Sequence, residues 1–538
     1  MRARLRRHWV VIPAALVAAV ASLAVSHLAF PAGSPDHDEL AYLSQADALS
    51  AGELTLPRTT HDPAFRPFLS GVHGDRIVFK YQPAWPAFLA GVRALTGSYR
   101  NALAVEAAAG VLAVYALAWE LCRRRRIAAL AGWVLALSPA SVALSATYLG
   151  YHVSLTVLLA ASALVVRGTR HRSTWWLVGG GALLGLGFFH RSYDAVLWAV
   201  PLLVWVACTT RRRRWRALAS VALGAAPFAV LYLAYDRAVT GHAFRPAFTT
   251  SGPLDRFGFG RRASFVAGST KYALDYQPGD AVRTMVRYAA VLPLWTFAGA
   301  AGLGLAVVGA VVARRRAGTA MLAATVVAVP FGYALWWGTA NSVAFGLHRA
   351  LGPMYWFPIS GPLAILVAHG LDAVTRRGAP ATALVAIVLI GSGGPSSLVV
   401  GRDMRAAGAA QRELAREHTA PNGARTLVIV DRPYPAAPYV DAVVPADLGA
   451  AARLVALRPP RPGATLALVD RFPGRAAFVS RRLKRPDRPF APASWSITPA
   501  SVRSGDLAVL QLDRAPVSGC PYVTIDGATT RRPARSTG

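Results

Sequence analysis

Apolar runs of about 20 residues, each followed by a tight arginine cluster or a polar loop, constrain this chain more than any other feature. A helical run of that length rises about 30 Å, the thickness of a bilayer's hydrocarbon core. No water is there to pair stray amides, so such runs are read as spanning helices. Eleven occur, at 9–30, 101–121, 127–146, 151–166, 175–189, 195–208, 217–235, 288–313, 319–338, 353–371 and 381–400. Mean hydropathy of +0.38 and 54% hydrophobic residues over 538 residues fit a multi-pass membrane protein and exclude an ordinary soluble chain.

Threading the runs alternately puts the clusters 123–126, 167–172, 211–216, 314–316 and 376–377 on the side of the basic N-terminus. Arg-rich short loops stay cytoplasmic, which predicts a cytoplasmic N-terminus and two large external loops, about 31–100 and 236–287. The first run is too long for a cleaved signal peptide and reads as a signal anchor. A net charge of +32 suggests nucleic acid at first. Its concentration between spans argues for membrane topology instead, and no nucleic-acid partner is expected. Only three residues are lysine, Lys80, Lys271 and Lys484, an arginine bias typical of GC-rich bacterial genomes. Three cysteines make neither a disulfide framework nor a zinc site.

The expected fold is therefore mostly α: a polytopic membrane domain over 1–400 with about eleven transmembrane helices. A small external α/β domain follows over 401–520, with a helix over 402–417 and strands at 427–430 and 465–469. Residues 521–538 read as a disordered polar tail. The glycines at 179–181, 185 and 187 lie within a span and serve helix packing.

The chemistry collects on the external face. Just past the first span runs Pro35-Asp36-His37-Asp38-Glu39-Leu40-Ala41-Tyr42. Crowded acids raise one another's pKa and suit proton transfer or the handling of metal and phosphate. The duller reading is a capped helix start, with Asp36 as the cap and Glu39 three residues on. The same external loop carries Lys80 and Tyr81. His190 and Arg191 stand at a span junction, Arg245 in the second loop, and His348 and Arg349 before the tenth span. Forked guanidinium donors match phosphate well. Each cation also has a structural reading: a snorkelling Lys80, an Arg191–Asp194 ion pair, a solvated Arg245. Glu106, within the second span, is costly there and calls for a partner or a cavity. Trp85, between Pro83 and Pro86, reads as an interfacial aromatic at a helix start.

Three motifs carry a resemblance. Asp38-Glu39-Leu40-Ala41-Tyr42 after the first span, Tyr81-Gln82-Pro83-Ala84-Trp85-Pro86 before the second, and Tyr235-Asp236-Arg237 through Thr240-Gly241-His242-Ala243-Phe244-Arg245 recur in order. With this layout the chain resembles the GT-C superfamily of multi-pass glycosyltransferases over roughly residues 5–400. The nearest look is to the branch of protein O-mannosyltransferases and aminoarabinose lipid A transferases. The resemblance implies a bacterial cell-membrane enzyme that takes a sugar from a polyprenyl-phosphate carrier at the external face. The acceptor is a lipid, glycan or protein hydroxyl. It also implies an essential acid in the first external loop, matching Asp38, with Glu39 beside it and Asp36 as an additional candidate. The lysine that directly precedes the proline pair in some relatives is displaced here to Lys80.

The physical account agrees with that expectation. A carrier phosphate is already an activated leaving group, so no nucleotide site is needed and inversion by direct displacement is expected, with an aspartate as base. The catalytic candidates are Asp38, Glu39 and Asp36; the substrate-binding candidates are Lys80, Tyr81, His190, Arg191, Arg245, His348 and Arg349. A divalent cation held by the paired carboxylates stays open, with its ligands unknown. The alternative function is a lipid or solute transporter or flippase, which calls for ionisable groups at mid-span.

Overall fold

The computed structural model of this chain describes residues 9–36, 38–58, 67, 69–252, 254–267 and 270–417, then 426–430, 453–457, 469–470, 475–484, 494–503, 509–512, 522–525 and 528–531. The described chain is mostly helical, and every apolar run lies on a helix or on a bent pair of helices. Six helices are long and apolar enough to cross a membrane: Trp9–Leu28, Arg100–Cys122, Tyr151–His171, Ser192–Thr240, Met354–Thr375 and Ala379–Ala409. Three bent pairs, broken by 61° at residues 137–138, 96° at 296–298 and 79° at 334–336, raise the number to nine at most.

The count falls two short of the eleven expected because one helix is short and one 49-residue run counts once although it breaks at the basic stretch 211–216 expected between two spans. The helix Thr174–His190 has 17 residues and rises about 26 Å, short of the core's thickness. The run Ser192–Thr240 has 49 residues, about 74 Å if straight. It breaks at Arg211, where φ is 31° and ψ −87°, and its two halves, Ser192–Thr210 and Arg214–Thr240, pack against each other.

Small residues set the closest helix contacts. Thr174–His190 lies on Arg214–Thr240, where a Cβ on Gly181 would strike the Val221 backbone and one on Gly224 the Val178 backbone. Backbones approach this closely only where side chains are absent. Helices 100–122 and 151–171 pack on each other and bury a polar knot. There Glu106 Oε1 pairs with His152 Nδ1 and accepts the Thr156 hydroxyl (2.9 Å), while His152 Nε2 meets Ser141 Oγ at 3.0 Å. Glu106 thus has the partners its burial demands.

One end of the helices is held by arginine–carboxylate clusters. Buried Glu120 contacts Arg123 (2.8 Å), Arg167 (3.3 Å) and Arg170 (3.4 Å). Asp372 contacts Arg376 (3.1 Å), Arg124 and Arg126 (both 3.7 Å). Three arginine-bearing connections of the sequence therefore share one end.

Between the first two spans, the helix Asp38–Ser50 is followed by an antiparallel sheet, β1 (Leu56–Pro57), β2 (Ser70–His73) and β3 (Arg76–Phe79), in the order β1-β3-β2. The helix Ala84–Thr96 then starts directly after Pro83 and stops at Gly97 (φ 79°), a left-handed residue suited to glycine. Trp85 corrects the interfacial reading. It is 3% exposed and donates its indole N–H to the Tyr148 carbonyl at 2.7 Å, packed inside the protein rather than presented to lipid.

In the second long loop β4 (Gly260–Ala267) pairs antiparallel with β5 (Thr270–Tyr276). The helix Ala379–Glu417 runs through 39 residues, so the helix expected over 402–417 is the end of the last apolar one. Beyond it, β6 (Thr426–Val430) pairs in parallel with both β7 (Arg453–Leu457) and β8 (Ala476–Lys484). β9 (Ser494–Arg503) and β10 (Val509–Leu512) extend the sheet antiparallel, giving the order β10-β9-β8-β6-β7. The strand expected at 465–469 falls mostly outside the described residues; 469–470 are helical. In the stretch read as a disordered tail, β11 (Tyr522–Ile525) pairs with β12 (Ala528–Arg531).

Candidate active site

The acidic motif opens the helix Asp38–Ser50, and its three carboxylates have different duties. Asp36 Oδ1 accepts the Asp38 N–H at 3.2 Å, capping the first turn. Glu39 spans outward from the helix: Oε2 accepts the Ser34 N–H and Oε1 the Tyr148 N–H, both at 2.7 Å. It pins the chain entering the helix to the turn before Tyr151–His171. Asp38 alone is half-buried rather than buried. Its Oδ2 accepts the Tyr81 hydroxyl at 2.5 Å, and Oδ1 has no partner among the described residues. His37 lies outside them.

Tyr81 is held from two sides. Its ring stacks on Tyr42 with centroids 4.4 Å apart and planes 16° from parallel. Its carbonyl accepts the Gln45 side-chain N–H at 3.0 Å. The helical spacing of Tyr42 and Gln45 after Asp38 thus builds both supports of the acid's partner.

Two cations face this acidic wall. Lys80 Nζ sits 2.8 Å from Asp255 Oδ2, with side-chain exposures of 8% and 2%. It also lies 5.6 Å from the centroids of both the Tyr81 and Phe248 rings. Asp255 Oδ1 accepts the Trp337 indole N–H at 3.0 Å. Arg191 donates Nε–H to Asp194 Oδ2 at 2.8 Å and stacks its guanidinium over Tyr151, 4.0 Å from the centroid. The Tyr333 hydroxyl donates to the other Asp194 oxygen. Arg191 also stands within electrostatic reach of the Tyr42 hydroxyl and of Asp36.

Burial dominates the electrostatics here. It pushes the Asp36 carboxyl well above the usual carboxylate range, and the neighbouring Asp38 charge adds to the push. It raises Glu39 to about 7 against the pull of its two backbone N–H bonds. Asp255 is raised too, by burial first and with Lys80 opposing.

Of the expected binding residues, Tyr81 bonds the acidic motif directly, Arg191 stands within electrostatic reach of it, and Lys80 is linked to it through the Tyr81 ring. His190 lies beside them, its Nε2 against the Gly150 carbonyl at 2.8 Å and its buried Nδ1 without a partner among the described residues. Arg245 and Arg349 are exposed, and neither contacts Asp36, Asp38 or Glu39 among the described residues. His348 is buried apart from the motif, and burial and then Arg349 lower its pKa. Among the described residues no three His, Cys, Asp or Glu side chains converge as metal ligands, and Glu39 has both oxygens engaged by amides.

Asp255, Tyr151, Tyr333 and Tyr355 were not legible as site residues. Tyr355 packs edge-on to Tyr151 at 5.6 Å and lies within electrostatic reach of Asp36 and Asp38. Asp255 had one faint signal, as one of only four acids in the arginine-rich stretch 236–287.

No family model matches the chain, and no curated protein does. Among solved structures it is similar to ArnT from Cupriavidus metallidurans bound to undecaprenyl phosphate, at 13% identity and TM-score 0.49, over 86% of this chain and 92% of that one. It is also similar to the Archaeoglobus fulgidus oligosaccharyltransferase complex with Zn and sulfate, at 11% identity and TM-score 0.48, over 88% of this chain and 68% of that one. The archaeal oligosaccharyltransferase AglB from the same organism, with an inhibitory peptide and a dolichol-phosphate, is similar at 11% identity and TM-score 0.46, over 88% and 69%.

Proposed function

We propose that this protein is a membrane glycosyltransferase that moves a sugar from a polyprenyl-phosphate carrier to an acceptor hydroxyl, with inversion. The observation that carries the reading is Asp38, half-buried with one oxygen unpaired among the described residues and bonded to Tyr81, whose ring stands against buried Lys80, with half-buried Arg191 in reach of the same acidic motif. Such an arrangement pairs a base with anion-stabilising groups where a lipid-borne phosphate arrives.

The acceptor oxygen attacks the anomeric carbon while its proton passes to Asp38 Oδ1. The bond from that carbon to the phosphate oxygen breaks, and the carrier phosphate leaves as an anion. Lys80 and Arg191 stabilise the charge developing on it, in a site where burial strengthens each contact. Tyr81 fixes the rotamer of Asp38, and Asp194 fixes the plane of Arg191. Glu39 and Asp36 shape the helix start on which Asp38 rides.

The site is read as facing the exterior of a bacterial cell membrane, opposite the arginine-bearing end. The test is incubation of the purified protein with a panel of polyprenyl-phosphate sugars, following loss of sugar from each. Turnover of none would refute the reading. One observation favours the transporter alternative: Glu106 and His152 are ionisable groups within the spans. Lipid translocation by proteoliposomes without sugar transfer would establish that alternative.

A further inference from the structure

Lys80 does not present a free ammonium to the site. It comes from the end of the first external segment, and its charge is already matched by Asp255 from the second, at 2.8 Å and almost wholly buried. Asp255 is in turn held by the Trp337 indole. A phosphate bound at Lys80 would face that carboxylate across a few ångströms of low-dielectric surroundings, and it would also meet Asp38, whose charge reaches Asp255. Two anions of like charge so placed repel strongly. Lys80 cannot keep Asp255 at its present distance and take a phosphate oxygen in the same direction.

We propose that Asp255 occupies the position on Lys80 that the carrier phosphate takes, so that donor binding exchanges one anion for another and frees the segment around Asp255. This rests on the donor reading above. In the sugar-bearing donor a singly charged phosphodiester replaces a singly charged carboxylate and no proton need move; free undecaprenyl phosphate, a monoester of about −1.5 to −2 at pH 7, competes for Lys80 in the same way with more charge. Asp255 therefore sets donor affinity by competition, and Trp337 sets how firmly the competitor is held. It acts through Lys80 and is a positioning residue.

Equilibrium binding of radiolabelled undecaprenyl phosphate to the full-length protein in detergent tests this, with undecaprenol as the uncharged control. Asp255→Asn keeps the shape and can still accept the indole N–H while losing the charge, and should bind about tenfold tighter than wild type, a change of about 1.4 kcal/mol. Trp337→Phe loosens the competitor and should shift affinity in the same direction by less. Lys80→Met should weaken the preference for phosphate over undecaprenol, Arg191 remaining, and adding Asp255→Asn to it should tighten binding no further; tightening in that double variant overturns the exchange at Lys80. A folded Asp255→Asn that binds no tighter than wild type overturns the exchange, and weaker binding makes Asp255 a support for Lys80 instead. If Asp255→Asn does not fold, Trp337→Phe decides, and unchanged or weaker binding refutes the proposal. Wild type that does not distinguish undecaprenyl phosphate from undecaprenol removes the donor reading as well.

Discussion

Replacing Asp38 by Asn separates catalysis from folding at this site. The side chain keeps its shape, and its amide oxygen can still accept the Tyr81 hydroxyl now held at 2.5 Å. Changing that bond from charge-assisted to neutral costs about 1 kcal/mol. Losing a negative charge in the first turn of the helix Asp38–Ser50 costs about 0.3–1 kcal/mol more. A stability loss of about 2 kcal/mol leaves a protein of ordinary stability folded. Loss of a general base, by contrast, slows reaction by ~10²–10⁴-fold. The matching control is Asp36→Asn, which retains the cap on the Asp38 amide and removes a carboxyl that burial already disfavours as an anion. It should keep most activity. Both variants are to be compared at matched membrane expression in single-turnover sugar transfer. An active Asp38→Asn beside an inactive Asp36→Asn would reverse the assignment; activity in both would take the acidic motif out of the chemistry.

Glu39 should make stability fall with pH. Its folded pKa of about 7 lies above its ordinary 4.5, so its contribution is full below about 4.5 and is lost as pH rises through about 7. The gap is worth about 3 kcal/mol at most, and Glu39→Gln should flatten the decline in Tm between these values; an equal decline in both proteins would refute the assignment. Arg191→Lys loses the guanidinium stack on Tyr151 and the Nε–H bond to Asp194, so donor turnover should fall ~10²-fold, and a lysine variant as active as wild type would exclude that role. Reporter fusions at Arg213 and after Glu417 should report opposite sides of the membrane, and finding them on the same side would overturn the topology and the external site together.

The membrane character, the helical content and the sharing of one end by several arginine clusters followed from sequence because they depend on local composition. A run of twenty apolar residues has few alternatives to a spanning helix, and Arg123, Arg167 and Arg376 declare their loops by charge alone. The start of the helix after Pro83 was likewise local. Span counting was less secure at Thr174–His190, whose 17 residues stand at the short limit for a spanning helix, whereas the break at Arg211 falls in the basic stretch 211–216 expected between spans. Trp85 shows the limit of local reading: the residues around it suggest a headgroup, and only the packed fold supplies the Tyr148 carbonyl that buries it.

At the site, the sequence marked Asp36, Asp38, Glu39, Lys80, Tyr81 and Arg191 by charge crowding and position. Helix position and resemblance put Asp38 first and Asp36 as the cap, but the partners that give the three acids their duties stand 2 to 109 residues away: the Asp38 amide, Tyr81 and the amide of Tyr148. The sequence could not pair Lys80 with Asp255, 175 positions on. Local chemistry determined which groups were available; chain crossings between the two long loop segments and the helix ends decided which met. Contacts made across such separations depend on the packing of whole helices, and no short stretch of sequence contains that.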